Sequence, residues 1–373
     1  MRGGTARQRY FTGFDYQRDG RNELNDELGT LNKTNFFNSA FSVPRSNFQI
    51  MAEAITQPMA KRSASSFADY APTYGAAAAL VLLVLANVVF TPNFSDVDNF
   101  RNILVQVTPT MLVAIGMTFV IATGGIDLSV GSLMAIASAV AAISLDYGAY
   151  PAILAALVTV TLIGAFSGWL ISTFKIQPII VTLAVLIAGR GVAQVISKGG
   201  QLIPFSNPSF EFWGKDSLFG ILPVPILVMA LIIGLAIFVI RATIFGRHVI
   251  AVGGNENAAR LSGISVNRTK IMVYALSGLL AGIAGLIYTA RLGASDASQV
   301  GQTIELDAIA ATVVGGTALT GGRATVIGTV LGALIMQIIT TSFNMNGIKF
   351  SYALVIKAAI ILFVVYLQRP KSH

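Results

Sequence analysis

The sequence predicts an all-α, polytopic membrane protein of about ten transmembrane helices, some of them short or broken. Three observations carry that expectation. Of 373 residues, 54% are hydrophobic and only 11% are charged, a balance foreign to soluble domains. Apolar runs long enough to cross roughly 30 Å of hydrocarbon follow one another from residue 74 to residue 367. When those runs are threaded back and forth, lysine and arginine collect on one side.

Residues 1–65 differ from everything after them. They hold nine basic and six acidic residues, many Asn, Gln and Ser, and aromatics without a period. They read as a polar cytoplasmic extension without stable structure. A native start at Met51 or Met59 fits equally, because MAKRSASS after Met59 is an ordinary basic lead-in to a first span. Residues 66–373 form the membrane domain. Its expected spans are 74–90, 103–122, 128–145, 151–171, 178–196, 221–240, 271–290, a short broken run near 308–319, then 324–341 and 352–367. Placing the N-terminus inside puts the nine basic residues of the extension, Lys175, the five of segment 241–270, Arg323, Arg369 and Lys371 on the cytoplasmic side. Arg101, Lys198, Lys215, Arg291 and Lys349 fall outside. The C-terminal charges stay inside only if the broken run crosses, which gives ten crossings with the eighth irregular.

Segment 241–270 stands out between two apolar runs. Arg241, Arg247, Arg260, Arg268 and Lys270 face one acid, Glu256. Asn255 can cap a short helix and Gly263 can end it in the left-handed conformation. Ala258 and Ala259 leave a smooth surface between them, with Leu261 one turn on. These features fit a helix that docks into a groove of a soluble partner, and they also fit an ordinary basic inside loop.

Small residues describe how the spans pack. Gly278 with Gly282, and Gly328 with Gly332, form GxxxG patterns; Gly131, Ala135 and Ala139 repeat the four-residue spacing. A more specific feature is an internal echo. Gly124-Gly125-x-x-Leu128-x-x-Gly131 matches Gly315-Gly316-x-x-Leu319-x-x-Gly322, with Gly321 beside it, and each copy follows an apolar run. Broken helices at corresponding places in two halves of a transporter point to its path. Duplication and coincidence among glycine-rich loops both explain the match.

Polar residues near or within the spans are path candidates. Asp127 can cap the helix that follows it, or line a path. Arg190, inside an apolar span, needs a partner or water, and Gln194 lies one turn later on the same face. Glu305 and Asp307 open the broken run and can cap it or line the outer mouth. Lys357 can snorkel or pair. The chain has no cysteine, and its two histidines, His248 and His373, make no metal cluster. The nearest approach to a nucleotide loop, Gly214-Lys215-Asp216, lacks the hydroxyl residue and the glycine spacing. Nothing suggests nucleic acid, since the basic residues are explained by membrane orientation. An ion-coupled secondary transporter is the alternative function, but it would want acids buried in mid-span. An intramembrane enzyme would have to use Asp127, Glu305 or Asp307.

Read in order, several segments resemble one family. Ala122-Thr-Gly-Gly-Ile-Asp127-Leu-Ser-Val-Gly131 resembles the hallmark of the ribose-type permease subunits of bacterial ATP-binding-cassette (ABC) sugar importers. Gly254-Asn255-Glu256-x-Ala258-Ala259-Arg260-Leu-Ser-Gly263-Ile264 resembles their ATPase-contacting loop, and Glu305-Leu-Asp307-Ala-Ile with Val314-Gly-Gly-Thr-x-Leu319-x-Gly321-Gly322 resembles their late signature. The likeness covers about residues 70–367. Lys175-Ile-Gln-Pro178, Ala188-Gly-Arg190-Gly-Val-Ala-Gln194 and Phe205-x-Asn-Pro-x-Phe look most like the branch that imports galactofuranose. The resemblance implies a multi-pass inner-membrane subunit with both termini cytoplasmic. It implies a second permease, identical or sister, a cytoplasmic ATPase that carries ATP and Mg, and a periplasmic sugar-binding protein. No cofactor belongs to this chain itself. The long extension and Ala324, where a glycine often follows Gly-Gly-Arg, depart from the pattern.

Overall fold

The computed structural model describes residues 67–368. The extension expected at 1–65, its candidate start sites, and Arg369 and Lys371 lie outside the described residues. Thirteen α-helices run through the described part: α1 (Phe67–Phe90), α2 (Val97–Ala122), α3 (Val130–Ser144), α4 (Ala149–Phe174), α5 (Pro178–Ile196), α6 (Pro208–Lys215), α7 (Val224–Ala242), α8 (Ile244–Gly254), α9 (Glu256–Leu261), α10 (Val266–Leu292), α11 (Ile304–Val314), α12 (Val326–Met345) and α13 (Phe350–Gln368). Eight of them, α1 to α5, α7, α10 and α12, are long and apolar enough to cross a membrane. The all-α expectation holds. The strands among the described residues are two-residue pieces, with Ile203–Pro204 pairing Ala294–Ser295 and Ser217–Leu218 pairing Leu222–Pro223.

Helix α2 is the axis of the bundle. Its 26 residues reach about 39 Å at 1.5 Å per residue, and nearly every side chain from Val107 to Ala122 is buried. Helices α10, α11, α12 and α7 pack around it. Helix α10 joins α2 to α3 and α4. Outward faces of α1, α4 and α7 expose Leu82, Leu154, Leu162, Leu231 and Phe238, as an apolar solvent requires.

Close packing rests on the small residues. A Cβ on Gly278 would stand 2.6 Å from the Val160 carbonyl of α4, and one on Gly282 would stand 2.6 Å from the Val160 side chain. One on Gly332 would strike the Ala311 carbonyl of α11. Both GxxxG faces are therefore contact faces, where the missing side chains let backbones approach.

The eighth crossing is half helix and half irregular. The expected run at 308–319 becomes α11, which begins earlier and stops at Val314 after about 16 Å, followed by an irregular segment to residue 325. Backbone without a helix survives at membrane depth only where protein satisfies it. Here Thr325 Oγ1 donates to the Gly315 carbonyl at 3.1 Å and the Thr325 N–H donates to Thr317 Oγ1 at 3.2 Å. Helix α13 carries a shorter apolar stretch, 351–362, so the described residues hold eight full-length spanning helices beside this half-helical segment and α13. We call the end that carries α8 and α9 the near end. At the far end, Asn346 Nδ2 donates to Thr91 Oγ1 at 2.9 Å, joining the ends of α12 and α1.

Gly278→Leu is expected to cost about 1–3 kcal/mol through overpacking against α4 and to lower the melting temperature in detergent. Gly234→Leu, where an added Cβ meets nothing within 4 Å, is the matched control and should melt like the parent.

Candidate coupling and translocation site

The near end is built around α9. Asn255 caps it, its Oδ1 accepting the Ala258 N–H at 3.0 Å. Gly263, at φ +82°, ends it, with the Ile264 N–H donating to the Ala259 carbonyl at 3.0 Å. Both ends match the sequence expectation. One member of the expected smooth surface does not. Ala259 is 4% exposed and points inward, packed with Val252, Val266 and Ile264. Ala258 stays on the outside, and the prominent side chain of that surface is Leu261, 90% exposed. Ala259 therefore seats the helix, and Leu261 projects from it.

Glu256 fastens this seat. Its carboxylate takes Lys270 at 2.6 Å, Arg260 at 3.1 Å and Lys175 at 3.3 Å. Lys175 follows α4 and Lys270 lies in α10, so one side chain ties α9 to both helices. Burial pushes the Glu256 carboxyl up, but Lys270 and then Lys175 outweigh burial and hold it below its ordinary value of 4.5. The pairs are partly exposed, so each is modest alone and they act as a network.

Just before α9, three backbones meet. The Gly322 N–H donates to the Ala122 carbonyl, the last residue of α2, at 2.9 Å. A Cβ on Gly253 would strike that same carbonyl and come within 2.6 Å of Gly322 N. A Cβ on Gly321 would stand 2.9 Å from both Gly124 N and the Gly253 carbonyl. The two glycine motifs of the sequence echo thus touch one another and the end of α8. Gly124 and Gly316 close their helices alike. Each has positive φ (+79° and +90°). Each donates to the carbonyl three residues back, and the next residue donates to the one five back. The structural correspondence is displaced by one residue from the sequence match, which pairs Gly124 with Gly315. Beyond that point the copies diverge. Gly131 sits inside α3, where a Cβ would strike the Gly301 carbonyl, whereas Gly322 is a loop residue at φ +77°. Helix α12 turns back along α11, while α3 packs against α4, α5 and α10. The likeness is one of helix endings.

Three of the five path candidates, Asp127, Arg190 and Asp307, make contacts that hold the fold. Asp127 is fully buried; its Oδ1 accepts Ser129 N at 2.9 Å and Ser129 Oγ at 2.6 Å, and its Oδ2 accepts Ser277 Oγ of α10 at 2.7 Å. It caps the turn into α3, the first of the two roles the sequence suggests. Arg190 Nη1 donates to the carbonyls of Val300 at 2.6 Å and Ala297 at 3.4 Å, holding the loop between α10 and α11. Glu305 is near Arg190 around Gly131, but its Oε2 is buried without a hydrogen-bond partner. Gln194 is exposed on α5. Lys357, 6% exposed, pairs with Asp307 at 3.0 Å and so ties α13 to α11. Sequence reasoning missed two features. Gly253 is essential to the backbone junction, and the Gly253-Gly254 pair was its signal. A far-end cavity of about 600 Å³ lies among α2, α10, α11, α12 and α13, and the glutamines inside apolar spans were its signal. Among the described residues no group of acids and histidines could hold a metal.

Comparison with known proteins gives the class. Residues 99–365 match a family described as "Branched-chain amino acid transport system / permease component". The chain belongs to this permease family. It is 40% identical over 302 residues to the ribose import permease protein of Escherichia coli K12, covering 79% of this chain and 93% of that one. It is 41% identical over 296 residues to the ribose import permease protein of Bacillus subtilis 168, covering 79% and 91%. It is 40% identical over 303 residues to the galactofuranose transporter permease protein of Escherichia coli K12, covering 79% and 88%. Identity does not separate the ribose from the galactofuranose branch. No solved structure matches the chain. As a permease subunit, the chain is a transport protein rather than an enzyme.

Glu256→Gln is expected to speed amide hydrogen exchange in residues 256–264 at neutral pH. Because the folded carboxyl titrates below its ordinary 4.5, its stabilisation is present above that value and lost as pH falls through the lowered one. Parent and variant should therefore exchange at the same rate in acid.

Proposed function

We infer that this chain is the membrane permease subunit of an ABC importer that brings a monosaccharide across the bacterial inner membrane. The similarity to ribose and galactofuranose import permeases over most of the chain carries this reading. The near end faces the cytoplasm, which agrees with the basic residues of segment 241–270 and with Lys175 and Arg323. A cytoplasmic ATPase, which binds the ATP and Mg, docks on the 254–264 segment. Leu261 and Ala258 enter its groove, while Gly254, Asn255, Glu256, Ala259, Arg260, Gly263 and Ile264 shape and hold the helix. A second permease, identical or sister, completes the path, and a periplasmic binding protein delivers sugar to the far end.

The mechanism follows from the junction. When the ATPase moves, α9 moves with it as a seated unit. The ends of α2 and of the 315–325 segment are pressed against Gly253 with no side chain between them. Displacement passes through main-chain contact into the central helix and into the irregular crossing. The irregular crossing is the natural place for the path to open, because its backbone is held by threonine hydroxyls rather than by a helical ladder. Asp127, Arg190 and the Asp307–Lys357 pair keep the helices around it in register. The similarity to sugar import permeases favours ATP-driven motion over ion coupling. The family description names amino acids, so leucine uptake is the second reading to measure beside sugar uptake.

Leu261→Asp should leave membrane insertion intact, abolish co-purification of the ATPase, and reduce sugar uptake to background. Wild-type uptake with normal ATPase association in this variant would remove the docking role from α9.

A further inference from the structure

The far-end cavity is not used by the coupling machinery, and its lining has a definite chemistry. At about 600 Å³ it lies within the range of small-molecule sites. Two of its walls carry glutamines within apolar spans, Gln106 on α2 and Gln337 on α12. Such side chains are costly against lipid and persist where they meet protein or water. Gln337 Nε2 donates to Gln106 Oε1 at 3.0 Å and to Thr341 Oγ1 at 3.2 Å. That leaves the Gln106 N–H groups and the Gln337 carbonyl without partners among the described residues. Pro109, also in the lining, has no N–H, so the Val105 carbonyl beside the cavity lacks its helical donor. The hydroxyl of Tyr288 and the side-chain amide of Gln302 complete a set of donors and acceptors with no hydrogen-bond partner among the described residues.

Charge narrows the ligand further. Lys357 and Asp307 neutralise each other at 3.0 Å, so neither remains to recognise an ammonium or a carboxylate. Arg291, at the cavity wall, disfavours a cationic cargo. Thr303, also at the wall, holds φ +59°, a left-handed conformation that a branched residue rarely adopts and that clusters at ligand sites. Neutral amides, a phenol, the Val105 carbonyl and the Arg291 guanidinium offer both donors and acceptors, which is what a hydroxyl-bearing ring needs.

We propose that this half-open cavity is a transient binding site for a neutral monosaccharide, formed by a single subunit among α2, α10, α11, α12 and α13. The proposal rests on the sugar-importer reading and adds a place and a chemistry to it. Binding is weak, because water can meet the same open donors and acceptors when sugar leaves. The site lies next to the Asp307–Lys357 pair that joins α11 to α13, so motion of the irregular crossing reshapes it directly.

The chain has no cysteine, which allows a direct test. Thr340→Cys and Gln302→Cys place single thiols in the cavity, and Tyr147→Cys places one on a far-end surface that is 81% exposed. Each full-length variant, assembled with its ATPase in membrane vesicles, is treated with a membrane-impermeant methanethiosulfonate with and without D-ribose, D-xylose or D-galactose. Uptake of the same radiolabelled sugars is measured in parallel. At saturating concentration, at least one sugar should slow modification at positions 302 and 340 by at least about threefold and leave position 147 unchanged. Unreactive thiols at 302 and 340 beside a reactive one at 147, or rates that no sugar alters, would overturn the site. Uptake without protection removes the cavity and keeps the importer reading. Protection without uptake keeps the cavity and counts against the importer reading.

Discussion

Three main-chain segments pressed together at Gly253, Gly322 and Ala122 are the constraint on which the rest depends. Each belongs to a different part of the chain: the end of the helix before the docking segment, the irregular crossing, and the end of the central helix. The hydrogen bond from Gly322 N–H to the Ala122 carbonyl, at 2.9 Å, fixes their spacing, and glycine at 253 permits the approach. Backbone against backbone leaves little compliance, because there are no rotamers to absorb a displacement. A push on α9 therefore reaches the core through rigid contact. Glu256 serves the same end by binding α9 to α4 and α10, so the docking helix does not swing free.

Much of this was legible in the sequence, and the limits have physical causes. The apolar runs marked the crossings, because lipid demands long uncharged helices. The broken apolar run near 308–319 marked the place where the structure has a short helix and an irregular segment. Asn255 and Gly263 announced the ends of α9, because capping is local chemistry between residues a few positions apart. Ala259 was placed on the wrong face, because a six-residue helix has too few turns to show a periodic stripe and its partner Val266 comes after it in the chain. Arg190 was recognised as needing a partner, but the Val300 carbonyl lies 110 residues away and main-chain acceptors leave no mark in a sequence. The glycine echo was read one residue out of register, since composition records the glycines and the left-handed turn decides which of them ends the helix.

The charged groups divide the labour. Those at the near end are clustered and partly exposed, suited to holding a seat that must still be reached by a soluble partner. Inside the bundle Asp127, Arg190 and the Asp307–Lys357 pair are held by hydroxyls, carbonyls or each other, which keeps the helices in register, while Glu305 Oε2 is buried without a hydrogen-bond partner. Around the far-end cavity the open groups are amides, a phenol and Arg291, donors and acceptors that fit a cargo recognised by its hydroxyl groups.

The central claim is that movement of α9 enters the core through the Gly253 junction. The most direct measurement is sugar uptake together with ATP hydrolysis by the assembled transporter carrying Gly253→Val. The account predicts that the variant inserts, retains its ATPase and hydrolyses ATP, but carries sugar at no more than background rate because the junction is forced apart. Uptake coupled to hydrolysis at the parental ratio in that variant would contradict it.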